Sequence, residues 1–590
     1  MSKRSLAVVL VLFALITGVA DMAVAQSPSP ADKAVFTIGT TTDMVSPNPF
    51  KASGLSEWWA LFLNYDFLFN FAPATLEPTD GIAYYPPQVS ADGKTWTFKI
   101  RTGVNWSDGQ PLTAKDVAFT YNFIFKNHMG IYYPYIGDPA SFSAPDDTTF
   151  VWKMKTPSTA PLAPPDVPIL PEHIWSKYSG KDAQTIKEVP NVPAVGSGAF
   201  HLTEWESGRY WVMDANKDYW GGAPHVDQII FRVYDTPEGL KLALQEGEVD
   251  AAEALPPTIF QSLLKDPKIT TNVGPGTQWD MMAFNLVGKG DPALRNKDVR
   301  IAIEHSIDKQ ALVDRVLLGY GTVGQSIVTP VFSRWAWQPS GEEVIGYDPE
   351  LAKSMLDHAG YKDVNNDGWR ETPNGEPWSL QILGISDVTN SVQEAKLIQG
   401  WMQDVGIKTS VKVVSTAKAY DLWWAQDFDM YVWYWSGDPD PNFILAGLTT
   451  DQCGVWSDGC YSNPTYDKLF VEQNTTTDIA KRQEIVRQMQ QIIYEDVPTI
   501  ILAYPDDLQA YRNDLFTGFV TSPQPRGFIF NSWGSTSERS VRPVAASSAE
   551  KSGGGGGVPS WVWVLIAVVF VVGLALVLMS RRGKGARDVE

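Results

Sequence analysis

The chain has 590 residues, with 47 basic and 67 acidic side chains and a formal net charge of −20. This negative charge repels the phosphates of nucleic acid, so nucleic acid is not expected as a partner. Aromatic residues make up 12% of the chain and charged residues only 19%, and this balance favours a ligand with flat or apolar faces.

The first segment has the pattern of a secretory signal peptide. Lys3 and Arg4 precede an apolar run over 6–20, and Ala23 and Ala25 supply the small residues that signal peptidase requires. We therefore predict a signal peptide over residues 1–25. No cysteine occurs in this segment or just after it, so a lipid of the bacterial lipoprotein kind is not expected and another tether is needed.

The next segment predicts a strand and then a helix. Trp96, Phe98 and Ile100 alternate with polar residues, as in a half-buried strand. Thr113 and Asp116 follow with an acidic variant of the capping box, which predicts the start of a helix.

Short strands and capped helices are predicted after this helix. Residues 190–235 read as short strands separated by Gly, Pro and Asn turns. Thr236 is placed to cap a helix that ends at Gly247. Residues 298–319 predict two successive helices, with Asp308 as the cap of the second.

Strands and helices alternate in the second half of the chain. Strands are predicted over 378–384, 408–414 and 429–435, and helices over 394–405 and 481–496. The last strand is continuously apolar, as expected for burial on both faces of a sheet. Strand-helix-strand repeats of this kind predict an α/β lobe.

Four sequence blocks in this order resemble the family 5 extracellular solute-binding proteins, which are the dipeptide, oligopeptide and cello-oligosaccharide receptors of ABC importers. The blocks are DGKTWTFKIRTGVNWSDGQPLTAKDVAFT, VGSGAFHLTEWESGRYWVMDANKDYWGGAP, VRIAIEHSIDKQALVDRVLLGYG and YDPELAKSMLDHAGYKDVNNDGWRE. The resemblance spans about residues 34–535. It implies an α/β, three-lobed, periplasmic-binding-protein-like fold of the type II or Venus-flytrap kind.

The resemblance also implies how the lobes are divided and how they move. Lobe I comprises residues 33–75, 195–285 and 499–536, lobe II comprises 76–194, and lobe III comprises 286–498. The ligand is enclosed between lobes I and III. Hinge motion closes the lobes, and the ligand favours the closed form because only there does it contact both walls.

The leading candidate for the ligand site is the loop after the predicted strand 429–435. In open α/β sheets, ligands gather at the carboxyl ends of strands. The loop resembles the Asp-Pro-Asp loop of dipeptide receptors, and this resemblance gives Asp438 or Asp440 the role of pairing with the ligand's amino terminus. The alternative is that both aspartates only cap turns.

Aromatic side chains next to this loop are predicted to wall the cleft. Trp433 and Trp435 share one face of their strand, where a sugar ring or an apolar side chain would pack. The alternative for each is packing in the core. Weaker candidates, which follow from position only, are Thr41, Asp43, Trp279 and Asn285.

The two cysteines, Cys453 and Cys460, are expected to form a disulfide because an oxidising exterior favours a close pair. Dipeptide receptors resemble the chain in carrying a pair at this place, which favours peptides as ligands. The aromatic density around Trp423 and Trp424 would also suit a cello-oligosaccharide. Both ligand classes therefore stay open.

One stretch resembles a calcium loop. Asp363, Asn365 and Asp367 place oxygen atoms at its first, third and fifth positions, with Glu371 nearby. The twelfth position is Asn374 and lacks the bidentate carboxylate of such loops. Without this carboxylate, a turn rich in Asp and Asn is the favoured interpretation, and a structural calcium ion is the alternative.

The C-terminal region has the pattern of a membrane anchor. Residues 537–560 form a Gly/Ser-rich stalk, and the charge-free run 561–579 is 19 residues long, about 28 Å as a helix and enough for one crossing. Arg581 and Arg582 begin the tail 580–590 and favour its placement in the cytoplasm. We predict binding lobes held outside the cell by this helix.

These features predict the surface-tethered binding component of an ABC importer, a monomer that captures di- or oligopeptides and delivers them to a membrane permease. An oligosaccharide receptor of the same family is the first alternative. A surface-anchored hydrolase is the second, although the sequence contains no His-Glu-x-x-His, Gly-x-Ser-x-Gly or Walker motif. A structural surface protein would be expected to show repeats, and none is found.

Overall fold

A computed structural model of the chain describes residues 33–52, 54–129, 132–161, 167–530 and 534–544. The predicted signal peptide, transmembrane span and cytoplasmic tail lie outside these residues, as does most of the predicted stalk. The chain divides into two units, Met1–Pro543 and Val544–Glu590. All elements given below belong to the first unit.

Strands in the described residues are numbered in chain order. They are β1 Val35–Thr40, β2 Phe69–Phe71, β3 Pro78–Asp80, β4 Gln88–Val89, β5 Thr95–Lys99, β6 Pro139–Asp146, β7 Thr149–Met154, β8 Phe200–Glu206, β9 Tyr210–Ala215, β10 Gln228–Val233, β11 Ala251–Ala252, β12 Ile269–Gly274, β13 Gln278–Phe284, β14 Gly321–Val323, β15 Ser379–Ile385, β16 Lys408–Val414, β17 Met430–Ser436, β18 Thr499–Pro505, β19 Asp507–Arg512, β20 Phe516–Thr517 and β21 Arg542–Pro543.

The α-helices of the same residues are numbered likewise. They are α1 Leu55–Asn64, α2 Ala114–Asn127, α3 Glu172–Trp175, α4 Ala183–Lys187, α5 Pro237–Glu246, α6 Pro257–Leu263, α7 Lys297–Ser306, α8 Lys309–Arg315, α9 Pro349–His358, α10 Ser391–Asp404, α11 Thr416–Trp424, α12 Asn442–Ala446, α13 Pro464–Thr475, α14 Ile479–Asp496 and α15 Thr536–Ser540.

The predicted helix starts are confirmed, because each cap is a local interaction. Thr113 accepts a hydrogen bond from Lys115, and the Asp116 carboxylate accepts one from the Thr113 backbone N–H. Thr236 and Asp308 accept backbone hydrogen bonds in the first turns of α5 and α8. No helix among the described ranges is long and apolar enough to cross a membrane.

The first large sheet has seven strands in the order β12-β19-β11-β1-β10-β9-β8. Its strand β1 pairs in parallel with β10 and with β11. Helices α5 and α6 pack on one face through Leu244 and Phe260. On the other face, Trp59 and Leu63 of α1 pack against the sheet, so this is an α/β layer structure.

The second large sheet has six strands in the order β14-β18-β13-β17-β15-β16. Alternation along β13 separates its two faces. Trp279 and Met281 join one core, whereas Met282 and Phe284 join another, together with Ile398 of α10. A smaller antiparallel sheet, β4-β5-β7-β6, packs against α2.

Two strands near the predicted lobe bounds lie in the six-stranded sheet. β13 pairs with β17 on one side and with β18 on the other. The predicted bounds assign both β13 and β18 to lobe I, whereas the other four strands of this sheet fall in the predicted lobe III. Helix and strand signals are local, but sheet membership depends on pairing between residues far apart in the sequence.

Candidate ligand-binding cavity

A cavity of about 580 Å³ lies between one end of the four-stranded sheet and one face of the six-stranded sheet. On the first side it is lined by Gly137 and Asp138 before β6 and, at and after the end of β7, by Met154, Thr156, Pro157, Ser158 and Ala160. On the second side, β13 and β17 form the floor. Its volume lies within the usual range for small-molecule sites.

The floor is built from residues of one sheet face. Trp279 pairs with Trp435 in register across β13 and β17, and both line the cavity together with Met281. Alternation along a strand explains why these side chains share a face. The indole N–H of Trp279 is buried and has no hydrogen-bond partner within the described part of the chain.

The outer wall comes from α12, the segment after it and the C-terminal half of α13. This wall supplies Phe443, Leu448 and Phe470, along with the polar residue Asn474. The backbone carbonyl of Asn474 accepts hydrogen bonds from the N–H and the hydroxyl of Thr159, at 2.6 and 3.1 Å. These two bonds join the four-stranded-sheet side of the cavity to α13.

A disulfide between Cys453 and Cys460 closes one short loop of this wall, which confirms the predicted pairing. The loop presents Trp456 and Asp458 to the cavity. The carbonyl of Gly459 accepts a hydrogen bond from the N–H of Leu286 at 3.0 Å. The disulfide loop is therefore held both covalently and against the end of β13.

Asp458 is fixed by two neutral donors. The Tyr431 hydroxyl donates to its Oδ1 at 2.5 Å, and the Trp435 indole donates to Oδ1 and Oδ2 at 3.2 and 3.1 Å. Burial raises the pKa of Asp458 to about 6, and the two hydrogen bonds act in the opposite direction. The carboxyl is therefore mostly ionised at neutral pH.

The two aspartates of the predicted ligand loop have different environments. Both oxygens of Asp440 accept hydrogen bonds from Arg482, at 2.6 and 2.8 Å. Asp438 forms no ion pair with any described residue. Burial, and secondarily the charge of Asp440, raise the pKa of Asp438 to about 7.

Trp433 lies one pleat from Trp435 but does not line the cavity. Its ring centroid is 6.0 Å from that of Tyr420 on α11 and 5.7 Å from that of Tyr434. Tyr420 and Trp424 are exposed. These rings form a separate aromatic group at the surface of the six-stranded-sheet region.

Three of the position-only candidates also lie outside the cavity. Asn285 is fully buried, and its side-chain amide donates to the carbonyls of Gln426 and Phe428. Asp43 accepts a hydrogen bond from the Gly208 N–H at 2.6 Å, beside the seven-stranded sheet. Thr41, two residues before it, is half-buried. A ligand role for these residues stays a prediction.

The predicted calcium loop is compact. Ligand atoms of Asp363, Asp367 and Glu371 all lie within 4.8 Å of one another. Asp363 accepts backbone hydrogen bonds from Asp367 and Gly368, and Asn365 donates to Glu371 at 2.7 Å. These bonds satisfy a turn rich in Asp and Asn, and they also gather oxygen atoms of the kind that calcium prefers.

Of the eight predicted ligand residues, the cavity brings together Trp279 and Trp435. Sequence reasoning missed Trp456 and Asp458, because their position depends on a disulfide loop that folds back over β13. The available signal was the sequence CGVWSDGC, which places an aromatic and an acidic residue between the two cysteines.

The family model described as "Bacterial extracellular solute-binding proteins, family 5 Middle" matches residues 77–454. The chain belongs to this family. Membership confirms the resemblance drawn from the four sequence blocks. It also confirms that the chain is a solute-binding protein rather than an enzyme.

Curated relatives of this family 5 chain carry peptide-binding names. The oligopeptide-binding protein AppA of Bacillus subtilis is 27% identical over 461 residues, covering 75% of this chain and 81% of that protein. The dipeptide-binding protein of Escherichia coli is 26% identical over 527 residues, covering 84% and 91%.

Solved structures of peptide-binding proteins share the fold described above for this chain. An oligopeptide-binding ABC transporter protein of Thermotoga maritima has a TM-score of 0.76 at 23% identity, covering 87% of this chain and 100% of that chain. This likeness confirms the α/β, periplasmic-binding-protein-like fold of the family 5 region.

Proposed function

We propose that this family 5 protein is the substrate-binding component of an ABC importer and that it captures peptides for delivery to a membrane permease. The observation that carries this proposal is a cavity of about 580 Å³ whose walls come from separate parts of a solute-binding fold. Curated relatives named as oligopeptide- and dipeptide-binding proteins support peptides as the ligand class.

The lining suits peptides in chemical terms. Trp279, Trp435 and Phe443 provide flat apolar surfaces for side chains, and Asn442 and Asn474 provide polar groups for peptide N–H and C=O. A role for Asp438 in pairing with a ligand amino terminus stays a prediction, because Arg482 already occupies the carboxylate of Asp440 but Asp438 does not line this cavity.

Calorimetric titration of the full chain, solubilised in detergent, tests the proposal. Di-, tri- and longer peptides are compared with cello-oligosaccharides of matched length, and each mixture is analysed for products after prolonged incubation. Peptide binding without turnover is the expected result. If only cello-oligosaccharides bound, the protein would be an oligosaccharide receptor rather than a peptide receptor. If hydrolysis products appeared, the protein would be a hydrolase rather than a receptor.

The proposal includes tethering of the receptor to the cytoplasmic membrane. The charge-free run 561–579 and the basic residues after it support one crossing with the binding lobes outside. Deleting 561–590 is expected to release the chain from the membrane fraction into the medium, with peptide affinity unchanged. A full chain that alkaline carbonate removes from membranes would contradict a spanning anchor.

A structural calcium ion in the loop of Asp363, Asn365 and Asp367 is a separate part of the proposal. The close oxygen atoms of Asp363, Asp367 and Glu371 support it. Calcium is expected to raise the unfolding temperature of the full chain, and Asp363→Asn is expected to remove the effect. Equal unfolding temperatures in calcium and in chelator would show that the loop is a turn that binds no calcium.

A further inference from the structure

The charged side chains known to line the cavity are all acidic. Among the described residues, two carboxylates, Asp138 and Asp458, line it, and no Lys, Arg or His does. The gaps in the described ranges at 53, 130–131, 162–166 and 531–533 contain no such residue either. Within the described residues, a ligand in this cavity therefore meets negative charge and no lining cation.

Only one of these two carboxylates lacks a cation partner. Asp138 pairs with Lys155 at 2.6 Å, with both side chains exposed. Asp458 is bonded only by the neutral hydroxyl of Tyr431 and the neutral indole of Trp435, and it forms no ion pair with any described residue. A partly buried charge without a partner carries a desolvation cost, and a ligand cation would offset that cost.

Aromatic rings line the same cavity as this carboxylate. The centroid of Trp456 lies 6.4 Å from that of Trp435 and 6.0 Å from that of Phe443, and both pairs are close to edge-to-face. Trp456 lines the cavity and is 48% exposed, so its surface is available to a ligand. Cations bind within about 6 Å of a ring centroid, and Trp is the strongest such partner.

The disulfide loop fixes this arrangement before any ligand arrives. Cys453 and Cys460 flank Trp456 and Asp458, and Gly459 lies against the end of β13. A carboxylate and an aromatic wall held in place lose little conformational entropy on binding.

We propose that Asp458, with the rings of Trp456, Trp435 and Phe443, forms a subsite for a cationic group of the ligand, either an ammonium or a guanidinium. The subsite rests on the proposed function and deepens it, because it selects peptides with a free amino terminus or a basic side chain. It is separate from Asp438, which does not line the cavity.

Matched ligands test the subsite on the unaltered full chain. A tripeptide with a central arginine is compared with the same tripeptide carrying citrulline, which is uncharged and nearly isosteric, and each is prepared with a free and an acetylated amino terminus. At least about tenfold tighter binding of the charged form is expected, as for a charge pair on an aromatic wall. Loss of affinity on acetylation assigns the subsite to the amino terminus, and loss on citrulline substitution assigns it to the side chain.

Two variants test which cavity carboxylate causes this difference in affinity between charged and uncharged peptides. Asp458→Asn is expected to bring the charged and uncharged peptides to within about twofold of each other, whereas Asp138→Asn, the matched cavity carboxylate that Lys155 already neutralises, is expected to keep the full difference. Equal affinity of all four peptides for the unaltered chain would overturn the subsite and leave peptide capture standing.

A non-peptide probe separates the two proposals. If no peptide binds, agmatine is titrated as a guanidinium compound that has no peptide bond. Agmatine binding that Asp458→Asn abolishes would keep the subsite and overturn peptide capture, and no binding of either would overturn both.

Discussion

Arg482 and Asp440 form a two-point ion pair beneath the loop that follows β17. Arg482 is 1% exposed, and its guanidinium donates to both oxygens of Asp440. The same guanidinium lies 4.6 Å from the ring centroid of Trp335, and its Nε donates to Gln473. This pair therefore ties the loop to α14 and to α13.

Removing this cation is expected to destabilise the chain strongly. Arg482→Met leaves the Asp440 carboxylate without its cation in a largely buried place, which costs about 3–5 kcal/mol in the free energy of unfolding. Denaturant unfolding measures the loss. The double variant Arg482→Met with Asp440→Asn is expected to recover part of it.

An exposed arginine on the same helix provides the control. Arg487 pairs with Glu484 one turn away, and both side chains are largely exposed. Arg487→Met is expected to change the unfolding free energy by less than about 1 kcal/mol. Equal losses of unfolding free energy for the two variants would show that the buried Arg482–Asp440 pair stabilises the chain no more than the exposed pair does.

Parts of this architecture that depend on near neighbours could be predicted from the sequence. Thr113, Thr236 and Asp308 cap helices as expected because each bonds a backbone N–H two or three residues away. The shared face of Trp433 and Trp435 follows from strand alternation alone. Both kinds of signal are contained within a few consecutive residues.

Parts that depend on distant pairing could not be predicted. Asp440 meets Arg482 only because α14 packs under the loop, 42 positions further along the chain. Asp458 enters the cavity only because its loop folds back on β13. The Asp-Pro-Asp sequence therefore does not reveal which of its carboxylates is already neutralised.

A second prediction concerns pH and a buried pair of acids. Asp280 on β13 and Glu394 on α10 are both buried and interact electrostatically on the sheet face opposite the cavity. Burial raises the pKa of Asp280 to about 7, and burial together with the charge of Asp280 raises that of Glu394 well above its ordinary value. The folded chain thus keeps a proton that the unfolded chain releases.

The sign of the pH effect follows from this proton. Between the ordinary pKa of a carboxyl and the raised value near 7 of Asp280, the folded state binds more protons than the unfolded state. The unfolding free energy therefore falls as pH rises through this window, by up to about 1.4 kcal/mol per pH unit for each proton. Glu394→Gln keeps a hydrogen-bonding group without ionising, so this variant is expected to flatten the decline.

Unfolding temperatures measured from about pH 5 to about pH 8 test this prediction. Above neutral pH, Glu394→Gln is expected to be more stable than the unaltered chain. The exposed residue Glu342 supplies the control substitution Glu342→Gln. Parallel curves for all three proteins would show that the buried pair does not control the pH dependence.

A third prediction concerns the disulfide between Cys453 and Cys460. Replacing both cysteines by serine is expected to lower the unfolding free energy by about 2.5 kcal/mol or less, because the closed loop is short. The affinity for a cationic peptide is expected to fall as well, since Trp456 and Asp458 lie in this loop. Titration with the arginine tripeptide measures the affinity.

Reduction of the unaltered chain is the matched comparison for this variant. Treatment with a thiol reductant is expected to reproduce the weaker binding, and the same treatment is expected to leave the double serine variant unchanged. Full affinity after complete reduction would mean that the loop keeps its position without the disulfide.

A fourth prediction concerns the close approach of Gly459 to β13. A Cβ atom at this position would lie 1.8 Å from the carbonyl oxygen of Phe284, so the disulfide loop must move away. Gly459→Ala is expected to cost about 1–3 kcal/mol of unfolding free energy, as overpacked sites do. The hydrogen bond from the Leu286 N–H to the Gly459 carbonyl is expected to be lost with this movement.

Displacing the loop also moves the subsite proposed at Asp458. Gly459→Ala is therefore expected to weaken the arginine tripeptide more than its citrulline counterpart, because only the charged ligand uses the Asp458 carboxylate. Gly346→Ala is the control, since a Cβ there would meet no atom within 4 Å. If Gly459→Ala weakened both peptides equally, the loop would shape the cavity without providing its charge selectivity.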